Sequence, residues 1–91
     1  MTMFEWDENK RRTNIESKGL DFVDAAFVFD GRAAITAPSR YPFEDRFVST
    51  AVLDDGKFYS VVWTWRGDVR RIISFRRARD GEERAYRQIF N

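Results

Sequence analysis

Three strand-like segments follow one another in the second half of the chain and are separated only by short turns. They span residues 46–53, 58–66 and 69–76. The first link contains Asp-Asp-Gly-Lys and the second contains Gly-Asp, which are signals of tight hairpin turns. Strands joined by links this short pair antiparallel with their chain neighbours. The run therefore predicts an antiparallel meander, around which the rest of the chain has to be arranged.

The middle segment of this meander has large apolar residues at both odd and even positions. It contains Phe-Tyr-Ser-Val-Val-Trp-Thr-Trp-Arg over residues 58–66. Apolar residues on both faces indicate a central strand. We interpret Trp63 and Trp65 as core residues, although tryptophan side chains also stack on nucleic-acid bases.

The first half of the chain predicts a short strand and two helices. The alternation of Phe4, Glu5 and Trp6 indicates the strand. Asp7 is placed to cap a polar helix that ends at Gly19 and has a narrow apolar face, mainly Ile15. A second helix begins near Asp21 and ends at Asp30-Gly31. Its expected apolar side consists of residues at i, i+3, i+4 and i+7, namely Phe22, Ala25, Ala26 and Phe29.

The remaining segments complete a single α+β domain over residues 1–91. Residues 33–37 predict a short edge strand, and residues 38–45, which hold both prolines, predict a loop. Asp80 is placed to cap a last helix, whose apolar side is Ala85, Tyr86, Ile89 and Phe90. The element order is β-α-α-β-β-β-β-α, and we expect a small antiparallel sheet with helices packed on it.

Composition narrows the chemistry that this domain can use. The chain contains no cysteine and no histidine. Thiolate and imidazole metal sites are thereby excluded, and we expect neither a metal nor any other cofactor. With no leader segment and no apolar run of membrane-spanning length, we expect a cytoplasmic protein that does not contact a membrane.

Positive charge is concentrated toward the end of the chain. Residues 61–91 carry a net charge of +4, whereas residues 1–60 carry −3. Arginine outnumbers lysine 13 to 3, which favours a phosphate-rich or acidic partner. An arginine-rich surface exposed only to solvent is the alternative explanation of this composition.

The order and spacing of several short motifs resemble the BrnT family of toxins. In the first half these are "FEWDENK", Asn14, "KGLDF" and an alanine-rich helix that ends in "VFD". In the second half, "VVWTWRGD" precedes "RIIS", and Arg76, Ala78, Glu82 and Tyr86 follow at the spacing of the family. The resemblance covers roughly residues 4–86.

The resemblance implies the fold, the activity and the partners. BrnT-like proteins are toxins of type II toxin–antitoxin modules, have a RelE-like fold and inhibit translation by cleaving RNA. Their partner is a BrnA-like antitoxin with a ribbon-helix-helix DNA-binding part, so operator DNA is bound only through the antitoxin. By resemblance we also expect a heterotetramer of two toxins and two antitoxins.

Two positions depart from the pattern of the family. Lys18 stands where members commonly have a histidine, so a mechanism that depends on that histidine cannot operate here. Ala51 stands where a glycine is usual, which we interpret as a matter of packing.

Metal-free RNA cleavage uses the 2′-hydroxyl as nucleophile and needs groups that hold phosphate charge and move protons. Candidate catalytic residues are Lys10, Glu44, Arg46, Arg76 and Tyr86. Candidates for contact with RNA phosphate or with the antitoxin are Lys18, Arg71, Arg77 and Arg79. We expect replacement of Arg76 by alanine to abolish toxicity with little change in thermal stability.

Each of these candidates also has a structural alternative. Arg76 can pair with Glu82, Arg46 can form a loop ion pair, Lys10 can be a solvated helix residue and Tyr86 can pack in the core. Asn14 is expected to bond a backbone group near the first helix. For the whole chain, the alternative function is a non-catalytic, basic-faced module that binds nucleic acid or an acidic partner protein.

Overall fold

The computed structural model describes residues 3–90 and contains a five-stranded sheet with three α-helices. The predicted order of elements is confirmed. The elements are β1 Met3–Trp6, α1 Glu8–Lys18, α2 Phe22–Ala25, a 3₁₀ turn Ala26–Phe29, β2 Ala34–Ser39, β3 Arg46–Val52, β4 Phe58–Arg66, β5 Val69–Arg77 and α3 Asp80–Phe90.

The sheet has the strand order β1-β5-β4-β3-β2, so β4 is central as predicted. Strands β2 to β5 form the antiparallel meander. Strand β1 instead pairs parallel with β5, with Met3 opposite Val69, and the sheet is therefore mixed rather than wholly antiparallel. The α1–α2 segment carries the chain from β1 at one edge to β2 at the other. The long connection that the parallel β1–β5 pair needs therefore consists of everything from α1 to β4.

The helical segment 22–29 packs on one side of the sheet with a period of three. Its buried residues are Phe22, Ala25 and Val28. The expected apolar side is incomplete in its last turn: Phe29 packs against the core as predicted but is only half-buried, and the fully buried residue there is Val28. The reason is that the α-helix tightens after one turn into a 3₁₀ turn, which has three residues per turn and brings Val28 inward.

Helix α1 begins and ends where its capping residues predict. The Asp7 carboxylate accepts hydrogen bonds from the backbone N–H groups of Asn9 and Lys10, at 2.8 and 3.3 Å. Gly19 ends the helix with φ of 70°, a left-handed conformation that glycine adopts without a steric penalty. The predicted apolar face is wrong, since Ile15 is 38% exposed and the buried residue of this helix is Asn14.

Asn14 takes the place of a neighbouring strand beside β5. Strand β1 pairs with β5 only as far as Trp6 and Ile72, which leaves the later residues of β5 without a partner on that side. The Asn14 side chain donates to the Phe75 carbonyl at 2.9 Å and accepts from the Phe75 N–H at 3.2 Å. It also donates to the Leu20 carbonyl at 2.8 Å, so the predicted backbone bond near α1 is present. One amide side chain thus fixes α1 to both the sheet and the loop that follows it.

Two boundaries differ from those predicted. Strand β2 includes Pro38 and Ser39, which the sequence places in the loop. Pro38 is tolerated because β2 is an edge strand, where a missing N–H need not break the ladder. Helix α3 begins at Asp80 itself, and the Glu82 carboxylate accepts a hydrogen bond from the Arg79 N–H at 2.8 Å. This is half of a capping box, with Arg79 rather than Asp80 as the N-cap.

The core lies between the helical segment and one face of the sheet. Trp63 is buried there and its indole N–H donates to the Ser49 hydroxyl at 2.9 Å. Trp65 lies one step further along the same face and is 44% exposed, so its assignment to the core was wrong. It is near the open end of the sheet, where its ring meets Trp63 edge-on.

Within residues 3–90, no helix is long and apolar enough to span a membrane.

Candidate functional site

The face of the sheet opposite the core carries three of the candidate arginines, Arg46, Arg71 and Arg76, and we call it the arginine face. Its charged members are Glu5 of β1, Arg46 of β3, Arg66 of β4, and Arg71 and Arg76 of β5. Between them lie smaller side chains, including Val48, Val62, Thr64 and Ser74. Helix α3 packs over only one end of this face, where Tyr86 meets Phe58 edge-on at 5.2 Å.

A β-bulge decides which arginines of β5 lie on this face. Val62 pairs with Ser74 and Trp63 pairs with Ile72, so Ile73 has no partner. Simple alternation would put Arg71 and Arg76 on opposite faces. The extra residue reverses the alternation and brings both to the arginine face. The same bulge places Ile72 and Phe75 together in the core.

Arg46 and Arg71 lie at the same level on two strands that flank β4. Each pairs with Thr64, Arg46 from β3 and Arg71 from β5. Two strand spacings put their Cα atoms about 10 Å apart. Thr64 is 3% exposed, and its hydroxyl donates to the Asp45 carbonyl at 2.6 Å. The two arginines therefore face each other across a small, internally bonded side chain.

Arg46 is held in place and still has donors to offer. Its Nε donates to Glu44 at 2.8 Å, and its guanidinium carbon lies 3.5 Å from the centre of the Tyr41 ring. Neither Nη group of Arg46 has a hydrogen-bond partner among residues 3–90. A guanidinium fixed through its Nε, with both Nη amino groups free, is suited to bind a phosphate.

Arg71 has a similar arrangement at the other side of Thr64. Its Nη1 donates to the Glu5 carboxylate on β1. Its Nε and Nη2 have no partner in the part of the chain that the structure describes. Glu5 lies directly opposite Arg71 in the parallel β1–β5 ladder, so the ion pair follows from strand register. Arg46 and Arg71 are thus each anchored by one glutamate, and each keeps free donors.

Glu44 joins two arginines at this end of the sheet. It accepts from Arg46 and pairs with Arg66 Nη1, each at 2.8 Å. The Arg46 hydrogen bond and the two positive charges hold the pKa of Glu44 below its ordinary value, although burial acts in the opposite direction. Glu44 is consequently an ionised acceptor near neutral pH.

Arg76 is engaged more completely than Arg46 or Arg71. Its Nη1 and Nη2 donate to the two Glu82 oxygens at 2.7 and 2.8 Å, which is a bidentate pair. Glu82 also accepts from the Ser60 hydroxyl at 2.9 Å. Ser60 in turn bonds Thr50 at 2.7 Å on the next strand. This network ties α3 to three strands, and it uses the Arg76 donors that a phosphate would need.

Lys10 and Lys18 lie on α1 at the border of the arginine face. They line an open cleft of about 400 Å³ whose other walls include Asn14 and Ser74. Ser74 is the residue between Arg71 and Arg76 on the arginine face. Neither lysine has a salt-bridge partner among residues 3–90. Because Asn14 bonds the backbone of Phe75, the position of both lysines is set relative to β5.

The structure brings only part of the predicted set together. Arg77 lies on the opposite face from Arg76, where its Nε donates to the Phe58 carbonyl and its guanidinium is 5.4 Å from the Tyr59 ring. The Arg79 side chain is exposed beyond the end of β5. Tyr86 packs between Phe58 and Phe90, away from the Arg46 end of the sheet.

Sequence reasoning missed four residues that the geometry adds. Glu5 anchors Arg71, Arg66 shares Glu44, Tyr41 covers Arg46, and Ser74 lines the lysine cleft. Arg66 had a usable signal, because it occupies the strand position two residues after Thr64 and therefore faces the same side. Tyr41 and Ser74 depend on long-range packing and carry no comparable local signal.

Within residues 3–90, no group of three or more acidic residues is arranged to hold a metal ion.

Known proteins match this chain both in sequence and in structure. The family model for the BrnT ribonuclease toxin of type II toxin–antitoxin systems matches residues 6–82. The chain is also similar to the crystal structure of the Brucella abortus ribonuclease toxin BrnT, with 25% sequence identity and a TM-score of 0.65. That match covers 88% of this chain and 100% of the Brucella chain. No curated protein sequence gives a match.

Proposed function

Since this chain belongs to the BrnT family of ribonuclease toxins of type II toxin–antitoxin systems, we propose that its arginine face binds and cleaves single-stranded RNA without a metal ion. The observation that supports this most strongly is the placement of Arg46 and Arg71. They lie at one level across Thr64, each anchored by a glutamate and each with free N–H donors. These guanidinium groups supply the positive charge that a bound cation supplies in other nucleases.

In the proposed reaction, the 2′-hydroxyl oxygen of one nucleotide attacks its own 3′-phosphorus. The bond from phosphorus to the 5′-oxygen of the next nucleotide breaks, leaving a 2′,3′-cyclic phosphate and a free 5′-hydroxyl. Negative charge grows on the non-bridging phosphate oxygens in the transition state, and Arg46 and Arg71 stabilise it. Because both guanidinium groups are already oriented, little reorganisation is needed when the charge develops.

Two further residues are assigned to proton transfer in this proposal. Glu44 is ionised and adjacent to Arg46, so it accepts the proton of the 2′-hydroxyl. A carboxylate with a lowered pKa is a weak base, and the isolated enzyme should therefore be slow. Lys10 borders the face beside Ser74 and donates a proton to the leaving 5′-oxygen. Lys18, Arg77 and Arg79 have no part in the chemistry and at most contact outer phosphates or the antitoxin.

Arg76 and Tyr86 have supporting roles in this proposal. The bidentate pair of Arg76 with Glu82 fixes the start of α3 over the sheet. Tyr86 contributes packing on Phe58, one turn further along the same helix. Together they keep one end of the arginine face covered, so that RNA is confined to the end that holds Arg46 and Arg71.

Membership of a type II system implies an antitoxin partner for this chain. We propose that the partner is a BrnA-like, ribbon-helix-helix protein that forms a heterotetramer of two toxins and two antitoxins. In this proposal an acidic segment of the antitoxin covers the arginine face, and operator DNA is bound only through the antitoxin. The substrate is cellular RNA, which places the proposed activity in the cytoplasm.

The test is cleavage of a labelled RNA by the purified chain in EDTA. We compare the parent with Arg46→Ala and Arg71→Ala, and with Arg12→Ala as a control. Arg12 is exposed on α1 and does not line the lysine cleft. We expect the parent and the control to release cyclic phosphate ends, and the two face variants to lose at least about 100-fold in rate. Equal activity in all four proteins, or cleavage only after a divalent metal is added, would contradict the proposal.

A further inference from the structure

The loop between β2 and β3 presents an exposed aromatic side chain beside the arginine face. Phe43 is 84% exposed, which is the highest value among the exposed large apolar residues of the described chain. Its ring meets the Tyr41 ring edge-on at 5.6 Å. Tyr41 in turn lies against the Arg46 guanidinium. Phe43 is therefore the outermost member of a row of three side chains that begins at Arg46.

The loop that carries Phe43 is held on both sides of it. Before Phe43, Pro42 restricts the backbone and Tyr41 packs on Arg46. After Phe43, Glu44 binds both Arg46 and Arg66, and the Asp45 carbonyl accepts the Thr64 hydroxyl. The exposed ring is thus presented from a fixed position, so binding a ligand there requires little ordering of the loop.

In the proposed function, Arg46 binds an RNA phosphate. A base of the same RNA then lies close to the residues that surround Arg46. A single-stranded nucleic acid carries a flat base next to every phosphate, and proteins bind such bases by stacking them on aromatic side chains. The guanidinium already occupies one face of the Tyr41 ring. Phe43 is then the aromatic surface that remains open to a base.

We propose that Phe43 stacks a nucleobase of single-stranded RNA, adjacent to the phosphate that Arg46 binds. This inference rests on the proposed function and adds a subsite to it. Stacking is largely tolerant of base identity, but the larger ring system of a purine buries more of the Phe43 surface. The subsite therefore favours a purine next to the cleaved phosphate.

The ring could instead receive an apolar side chain of a partner protein, and the experiment separates the two occupants. Binding is measured by fluorescence anisotropy with a labelled single-stranded RNA that is 2′-O-methylated throughout and cannot be cleaved. A second probe has the same backbone with abasic sites. The proteins are the parent, Phe43→Ala, Phe43→Trp and the control Phe27→Ala. Phe27 is 50% exposed but belongs to the 3₁₀ turn on the other side of the sheet.

Phe43→Ala should weaken binding of the intact strand by about 5- to 100-fold, while Phe43→Trp and Phe27→Ala should bind like the parent. The slope of log Kd against log salt should not change in Phe43→Ala, because no phosphate contact is lost. On the abasic probe, the parent and Phe43→Ala should bind equally. Since Phe43 is almost fully exposed, both Phe43 variants should melt within a degree or two of the parent.

Unchanged RNA affinity in Phe43→Ala would overturn the inference, as would an equal loss on the abasic probe. Unchanged RNA affinity together with weaker antitoxin binding would assign the ring to a protein partner and overturn it as well. Arg46→Ala distinguishes this failure from failure of the proposed function. If Arg46→Ala binds less RNA with a shallower salt slope and Phe43→Ala does not, only the base subsite is wrong; if Arg46→Ala changes neither binding nor cleavage, the site itself is wrong.

Discussion

The Arg76 guanidinium and the Glu82 carboxylate are joined by two hydrogen bonds of 2.7 and 2.8 Å, one to each carboxylate oxygen. Both side chains are partly buried at the junction of β5 and α3. The spacing of Arg76 and Glu82 in the sequence therefore corresponds to an ion pair that joins β5 to α3. This pair is the structural alternative given above for Arg76.

Replacement of Arg76 by alanine should lower the free energy of unfolding. The change removes both hydrogen bonds and leaves the Glu82 carboxylate with only Ser60 and the Arg79 N–H. We expect a loss of about 1–3 kcal/mol, measured by urea unfolding. This differs from the expectation drawn from sequence alone, which was lost toxicity at nearly constant stability. A variant that is as stable as the parent yet cannot cleave RNA would restore Arg76 to the catalytic set.

Replacement of Glu82 by glutamine should change how stability depends on pH. The bonds from Arg76 lower the pKa of Glu82 from 4.5 to about 2 in the folded protein. A carboxyl with a lowered pKa stabilises the fold above pH 4.5, and this contribution disappears as the pH falls toward 2. Glu82→Gln should be less stable than the parent by about 1–2 kcal/mol at pH 7, after allowance for solvent screening, and equally stable near pH 2. A difference that stays constant between pH 7 and pH 2 would show that the charge of Glu82 is not responsible.

Replacement of Asn14 by alanine should be among the most destabilising changes on α1. It removes three hydrogen bonds and leaves the N–H and carbonyl of Phe75 without that partner at a site that is 4% exposed. We expect a loss of about 2–3 kcal/mol in urea unfolding. Asn9→Ala, an exposed asparagine on the same helix, is the matched control and should change stability by less than about 0.5 kcal/mol. Similar effects at both positions would contradict the role assigned to Asn14.

Replacement of Lys10 by arginine should separate binding from catalysis. Arginine keeps the positive charge but does not release a proton under these conditions. If Lys10 protonates the leaving oxygen, Lys10→Arg should bind RNA like the parent and cleave it about 100- to 10,000-fold more slowly. Lys18→Arg, on the same cleft, should retain both properties. Full cleavage by Lys10→Arg would show that the residue contributes only charge.

Local signals predicted the parts of this fold that depend on neighbours in the chain. The turns at residues 53–57 and 66–69 specify the meander, and Asp7 and Gly19 specify both ends of α1. The β1–β5 pairing could not be predicted in this way, because its hydrogen bonds join residues at opposite ends of the chain and leave no mark in the local pattern.

For a related reason, the sequence could not predict which arginines belong to the candidate site. Strict alternation along β5 groups Arg71 with Arg77, whereas the structure groups Arg71 with Arg76. The unpaired Ile73 causes the exchange, and its position is set by the partner strand rather than by its own identity. Residue types thus indicated a cationic surface, but only the register between strands shows which cations share it.

The parallel pairing of β1 with β5 also determines how early the fold can form while the chain is being synthesised. Strand β1 leaves the ribosome before β5 does. Glu5 therefore cannot form its ion pair until Arg71, which is 66 residues further along the chain, has been made. Asn14 likewise has to wait for Phe75 before α1 can dock. Contacts this distant in sequence form late, after the local hairpins. A nascent chain therefore lacks a complete arginine face, where the proposed activity lies, until β5 has been translated.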